Sequence, residues 1–360
     1  MDRIHNFSAG PGVLPQAVVR QAQQDLWIHG ESGMGIAEIS HRSGQFDAVH
    51  GSAKASIKRL LRLSDDQHVL FLQGGARSQF YMWPMNMLQG GTAAYLNTGR
   101  WADIAAKDAR RFGEVVVPFS SQETGWNRVP AAGEVEVPSG VVYLHYTSNN
   151  TVAGGEFQHV PDPGGALLAC DMSSNFLSRP IDGSRFDYIY AGAQKNVGPS
   201  GVTVVVVRDS VLASMSKDLP DMLRYDKQVD KDSMLNTPCT FGIYVIDQVC
   251  RWLEEDMGGV EGIEAHNVAQ SQRVYDVIDG TDFWQGKVET ASRSRMNITF
   301  TTGDADRDKA FVSHAAQAGL TGLKGHRSVG GLRASLYNAQ TDEAVDALVA
   351  LMHDFERTHG

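Results

Sequence analysis

The chain has only three cysteines in 360 residues, Cys170, Cys239 and Cys250. Their number is odd and no two form a C-x-x-C pair. Neither a disulfide framework nor a structural zinc site is expected, no metal site is read, and a reducing, cytoplasmic setting suits the sequence. No run approaches the roughly 20 apolar residues that a membrane-spanning helix needs, and the opening MDRIHNFSAGPG has no apolar signal core. Positive charge is in deficit as well: 32 Lys and Arg stand against 42 Asp and Glu, a formal net charge of -10. Nucleic acid and membrane are therefore not expected partners, although a local basic pocket for a small anion stays open. Asn-x-Ser/Thr triplets at Asn6, Asn149 and Asn297 read as chance in the absence of a secretion signal. There is no GxxxxGK[ST] loop, no HExxH, no GxSxG elbow and no GxGxxG opening a helix after a strand. ATP chemistry, zinc hydrolysis, serine hydrolysis and a dinucleotide site thus lack their usual support.

What is present is a succession of apolar runs: HVLFL (68–72), TAAYLN (92–97), EVVVPF (114–119), GVVYLHY (140–146), GALLACD (165–171), FDYIYAG (186–192) and GVTVVVVRD (201–209). Several are continuous rather than alternating, which is the mark of strands buried on both faces of a mostly parallel sheet. Helical patterns cover 15–28, 47–62, a proline-containing run after Gly74-Gly75, 238–256 with Pro238 in its opening turn, and 259–278. The last hundred residues differ, with strands at 296–300 and 331–338 and helices near 304–318 and 342–356. The expected architecture is α/β. Residues 15–257 form a large domain, 258–360 a smaller α+β domain, and 1–14 a segment that packs with the small domain.

The chemistry concentrates at strand ends. Lys195 lies in YIYAGAQKNVGPSG (188–201), between two core-strand patterns and among small residues. A lysine is ordinarily a solvated surface residue. An enclosed one has a lowered pKa and becomes nucleophilic toward an aldehyde. Asp171 ends the buried strand GALLACD, where parallel sheets bind their ligands. Taken alone it reads equally as a capping or loop acid. Pyridoxal 5'-phosphate (PLP) would use the pair, since its pyridinium nitrogen needs a carboxylate and its aldehyde an amine. Gln73-Gly74-Gly75-Ala76-Arg77-Ser78, opening a helix after a strand, suits a phosphate. Trp101 could stack on a planar ring or sit in a core, and Thr151 could offer its hydroxyl or be an ordinary loop residue.

These elements, in this order, resemble the phosphoserine aminotransferase family, in the class V group of fold type I PLP enzymes. The resemblance spans essentially the whole chain: NFSAGPGVLP at the start, EISHRS (38–43), GGARSQF (74–80), DMSSNFLSRPID (171–182), YAGAQKNVGPSG (190–201), NTPCTFGIY (236–244) and GHRSVGGLRASLYNA (325–339). It implies an aspartate-aminotransferase-like fold and a PLP-dependent ping-pong transfer of an amino group between glutamate and 3-phosphohydroxypyruvate in serine biosynthesis. It also allows action on the phosphorylated hydroxy-keto acid of vitamin B6 synthesis. By the same resemblance Lys195 anchors the cofactor and is the catalytic residue, Asp171 meets the pyridinium, Trp101 stacks on the ring and Thr151 bonds near its phenolic oxygen. Ala76, Arg77 and Gln194 hold the cofactor phosphate, joined by Asn236 and Thr237 from the neighbouring subunit of a homodimer. His41, Arg42, His326 and Arg327 clamp the substrate phosphate, and Arg333 holds its α-carboxylate. The chain has Ala76 where the family often has glycine, and Asn150 where a typical member has an acid. Another fold type I enzyme is the rival reading, although a desulfurase would need a mobile cysteine and none is well placed. A non-catalytic PLP-binding protein is the rival from another class.

Overall fold

The computed structural model describes residues 3–360. The first half of the chain runs β1 (His5–Asn6), α1 (Gln16–Asp25), α2 (Gly44–Leu61), β2 (Gln67–Gln73), α3 (Gln79–Met87), β3 (Thr92–Asn97), α4 (Arg100–Ala109), β4 (Glu114–Ser120), β5 (Tyr143–Thr147) and β6 (Leu167–Asp171). It continues through β7 (Tyr188–Gly192), β8 (Val202–Arg208), α5 (Asp209–Leu212), α6 (Tyr225–Asp230), α7 (Thr240–Glu255) and α8 (Gly259–Asp279). The remainder is β9 (Gln285–Gly286), β10 (Asn297–Thr301), α9 (Ala305–Gln317), β11 (Leu320–Thr321), β12 (Leu332–Ser335) and α10 (Asp342–His359).

Seven strands form one sheet in the order β2-β8-β7-β6-β5-β3-β4. Neighbours run parallel except at β8, which is antiparallel to both β2 and β7. The cause is chain length. Residues 193–201 are too few for a parallel crossover, which takes a dozen or more residues, so the chain turns straight back. That turn carries Lys195. Side chains alternate between two cores. Val69, Leu144, Cys170, Ile189 and Val204 pack toward α2 and α7, while Leu70, Tyr143, Ala169, Tyr190 and Val205 pack toward α3 and α4. Both faces are therefore covered, which is why the central strands read as unbroken apolar runs. Edge strand β4 is only half-buried and tolerates Pro118, which has no N–H to give a neighbour.

Some boundaries move from the sequence expectation. α2 begins at Gly44 rather than 47 because Ser43 Oγ accepts a hydrogen bond from Phe46 N at 3.3 Å, a side-chain cap. α7 begins at Thr240, so Pro238 precedes the helix instead of opening it. α4 had no counterpart in the sequence reading. Asn149 and Asn297 are buried and joined, Asn149 Nδ2 donating to Asn297 Oδ1 at 2.8 Å, so neither side chain is available to a glycan.

A separate core gathers Phe7, α8, β10, α9, β12 and α10 around the three-stranded antiparallel sheet β12-β10-β9. β1 pairs in parallel with β11, His5 opposite Leu320, so the N-terminal segment lies against this C-terminal unit. Trp284, 2% exposed, anchors the core against Phe283, Phe300, Phe311 and Phe355, with ring centroids 4.9 to 6.2 Å away. Trp284→Ala is expected to cost about 3–5 kcal/mol, read as a lowered denaturant midpoint. Among the described residues the buried Trp284 Nε1 has no partner, so Trp284→Phe should cost clearly less. Equal losses in the two variants would show that ring volume is not what matters there.

Candidate active site

Parallel strands bring their carboxyl ends to one side of a sheet, and the loops that follow them converge there. On that side Gly75, Ala76, Arg77, Phe80, Trp101, Asp171, Ser173, Gly192, Gln194 and Lys195 line a cavity of about 140 Å³. A wider cavity of about 450 Å³, along the N-terminal segment and β11, has Arg333 and Lys324 on its wall.

Lys195 is set by the β7–β8 turn and by the N-terminal segment laid across it. Gly12 N donates to Gln194 O at 2.7 Å, and a Cβ on Gly12 would stand 2.6 Å from Lys195 O, so only glycine permits this approach. Lys195 Nζ donates to Thr151 Oγ1 at 2.6 Å. Burial brings the lysine pKa down to about 8; Asp171 opposes the shift and the Arg333 charge adds to it.

Asp171 ends β6 at 5% exposure. Its Oδ1 accepts from Ser173 N at 2.8 Å, two residues on, which fixes the carboxylate in an Asx turn at the strand end. Burial raises its pKa, while the Lys195 charge and the Ser173 hydrogen bonds act in the opposite direction. Among the described residues it makes no ion pair. A buried carboxylate with room beside it and no fixed cation fits a protonated ring nitrogen, and the residues present thus fit PLP.

The turn after β2 suits a phosphate. Gly74 has φ +102°, a conformation that L side chains rarely adopt, and Gly75 caps the short turn 76–78 that leads into α3. Gly192 lets the end of β7 approach this turn: a Cβ there would lie 3.3 Å from Ala76 Cβ and 3.5 Å from Ala76 N. Arg77 is exposed at the rim. Trp101, in the first turn of α4, forms a wall with Phe80, their rings 6.3 Å apart.

Arg333, on β12, reaches the same place from the C-terminal unit. Its Nη1 donates to Thr151 O at 3.1 Å, and among the described residues its buried Nε has no partner. Burial lowers its pKa, yet a guanidinium stays charged at any working pH. His326 feels burial first and then the charges of Arg100, Arg333 and Arg327, all of which push its pKa down.

Ala76, Arg77, Trp101, Asp171, Gln194 and Lys195 therefore line one cavity, with Thr151 and Arg333 bonded beside it. His41, Arg42, Asn236, Thr237 and Arg327 do not line that cavity of their own chain. His41 and Arg42 lie just before the Ser43 cap. Exposed Asn236 donates to Gln73 Oε1 at 3.3 Å. Arg327 borders a groove along α9 beside Asp308 and Lys309. Among the cavity-lining residues, sequence reasoning missed Ser173, Phe80 and Gly192. Ser173 was findable, as the residue that an Asx turn after Asp171 would use. Phe80 lies inside a helix and gave no signal.

Residues 4–348 match the family described as aminotransferase class-V. A phosphoserine aminotransferase of Laribacter hongkongensis is 47% identical over 359 residues, covering 99% of each chain. The structure of the phosphoserine aminotransferase from Bacillus circulans subsp. alkalophilus superposes with a TM-score of 0.97 at 46% identity, covering 100% of both chains. PLP-bound phosphoserine aminotransferase from Trichomonas vaginalis superposes at 0.92 with 36% identity, covering 98% of this chain and 100% of that one.

Proposed function

Since the chain belongs to the class-V aminotransferases, we propose that it is a PLP-dependent phosphoserine:2-oxoglutarate aminotransferase, passing the amino group of glutamate to 3-phosphohydroxypyruvate and giving O-phosphoserine and 2-oxoglutarate. The observation that carries this reading is one geometry: a lysine with its pKa brought to about 8 faces the same cavity as a buried Asp171 that makes no ion pair among the described residues. When bound, PLP supplies an electrophilic carbon for the substrate amine and a protonated ring that takes up electron density.

The chain's residues do the rest. Thr151 Oγ1 holds Lys195 Nζ at 2.6 Å in the resting site, and its hydroxyl is placed to serve the ring's phenolic oxygen. Lys195 would attach the cofactor, and its Nζ would carry the proton to and from substrate Cα as general acid and base. Asp171 holds the ring nitrogen, and Trp101 covers the ring face and keeps water away. Ala76 N–H, Arg77 and Gln194 hold the cofactor phosphate. Alanine at position 76 serves this purpose because the contact uses its backbone N–H.

Arg333 takes the α-carboxylate common to both substrates, its fork geometry matching two oxygens. His41, Arg42, His326 and Arg327 take the substrate phosphate. Asn236 and Thr237, solvent-facing on their own chain, reach the cofactor phosphate of a neighbouring subunit, so the working unit is a homodimer with shared active sites. Among the described residues no helix is long and apolar enough to cross a membrane, and we place the enzyme in the cytoplasm, in serine biosynthesis. The same clamps would accept the phosphorylated hydroxy-keto acid of vitamin B6 synthesis.

A coupled assay with glutamate tests the reading. Each phosphorylated keto acid should be turned over with kcat/KM about a hundredfold or more above its unphosphorylated analogue, because a site built to bind a polar group strongly rejects substrates that lack it. Equal activity on the unphosphorylated analogue would sink the assignment of the clamp.

A further inference from the structure

Behind Asp171 lies a pair of rings that the reaction as described does not use. β5, β6 and β7 are neighbours, with Asp171 opposite Tyr190 and Ala169 opposite His145. Ala169 is small, so His145 and Tyr190 meet across β6: their rings are 5.9 Å apart and tilted 27°, and His145 Nε2 lies 3.0 Å from Tyr190 Oη. Tyr95 packs on His145, centroids 4.7 Å apart, and spends its own hydroxyl on Tyr143 Oη at 2.8 Å. Both His145 and Tyr190 are at most 2% exposed.

We propose that His145 and Tyr190 form a hydrogen-bond relay, Nε2–H to Tyr190 Oη and Tyr190 O–H to the Asp171 carboxylate, that keeps Asp171 ionised and aimed at the ring nitrogen of the cofactor. The inference rests on the reading that PLP occupies the Lys195 cavity. Both are positioning residues, acting through Asp171.

The direction of the relay follows from what surrounds the imidazole. Burial pushes His145 down to about 3, so the ring is neutral and carries one proton. Its Nδ1 is buried without a partner among the described residues. A buried N–H left without an acceptor is strongly disfavoured, so the proton sits on Nε2 and is given to the tyrosine oxygen. That leaves the tyrosine proton for Asp171, which the strand register sets directly opposite Tyr190 and whose ionised form Tyr190 favours. The other titratable groups near Asp171 are Lys195 from the β7–β8 turn, Tyr188 on β7, and Cys170, next to it on β6 but turned to the opposite face of the sheet. Of these only Lys195 carries a charge that helps the carboxylate. Lys195 must give up that charge to react, and the relay does not depend on it.

The test uses PLP-loaded enzyme and compares Tyr190→Phe, His145→Gln and Tyr143→Phe. Tyr143→Phe removes a buried hydroxyl from the same sheet face, outside the relay. Loss of the Tyr190 proton should weaken the ring's positive charge and move the pH midpoint of the bound cofactor's visible band upward by about half a unit or more. It should also raise the PLP dissociation constant of the protein and lower kcat about tenfold, the scale of one hydrogen bond to a charged group. KM should stay within about twofold, because the substrate clamps are untouched. His145→Gln should move the midpoint in the same direction, and the double variant by less than the sum of the two. A midpoint unchanged in Tyr190→Phe, or shifted equally in Tyr143→Phe, overturns the relay while the wild-type band still supports PLP binding. A wild type that shows no band after PLP addition overturns both.

Discussion

Lys195→Ala should lower kcat by roughly 10⁴-fold or more while the protein still folds and takes up PLP, because the side chain is proposed as both the attachment point and the proton carrier. The fold should survive, since among the described residues the lysine's one side-chain hydrogen bond is that to Thr151. PLP uptake should survive because ring, phosphate and pyridinium contacts come from other residues. The lowered pKa adds a check on the wild type. A lysine titrating near 8 is about one-tenth neutral at pH 7, against less than about one in a thousand for an unshifted one. The neutral amine is the nucleophile, so capture of PLP by the cofactor-free protein should quicken as pH rises through about 8, reach half its maximum there, and level off above it. In the alanine variant that pH dependence should vanish, and added methylamine should restore part of the lost turnover. Wild-type-like activity in Lys195→Ala would remove Lys195 from the centre of the reaction.

The centre of this site was legible because burial and chemistry coincide there. Continuous apolar runs located β6, β7 and β8, and a lysine and an acid at their ends stand out against such runs. The reversal of β8 was implicit in the shortness of the segment between two strands. α4 was illegible for a physical reason: its buried stripe is Ala102, Ala105, Ala106 and Ala109, spaced as a helix but too weakly apolar to announce one. β1, β9 and β11 are two residues each and carry no period to read. The His145–Tyr190 contact was hidden for a different reason. Both residues sit inside apolar strands, and only the strand order puts β5 and β7 on either side of β6. His41, Arg42, Asn236 and Thr237 came from motif resemblance, and the fold of one chain leaves them apart from Lys195. The role proposed for Asn236 and Thr237 requires the proposed homodimer.

Arg333 carries the second large effect. Arg333→Ala should lower kcat/KM by roughly 30- to 5,000-fold, corresponding to the 2–5 kcal/mol or so lost when one partner of a buried, hydrogen-bonded charge pair is truncated. Most of the loss should appear in KM. Its free Nε, buried and without a partner, and an Nη1 already committed to Thr151 O make it a half-satisfied fork with room for a carboxylate. Arg333→Lys restores the charge and not the fork, so it should recover only part of the loss. Glutamate and the phosphorylated keto acid share an α-carboxylate, and steady-state kinetics should therefore show both half-reactions impaired to a similar degree. Arg327→Ala, by contrast, should weaken only the phosphorylated substrate. If Arg333→Ala impaired one substrate alone, or if the lysine variant were fully active, Arg333 would not be the carboxylate partner. Because Arg333 also holds Thr151, and Thr151 holds Lys195, PLP uptake must be measured in parallel. Retained uptake with lost substrate affinity separates a substrate contact from a collapse of the lysine's setting.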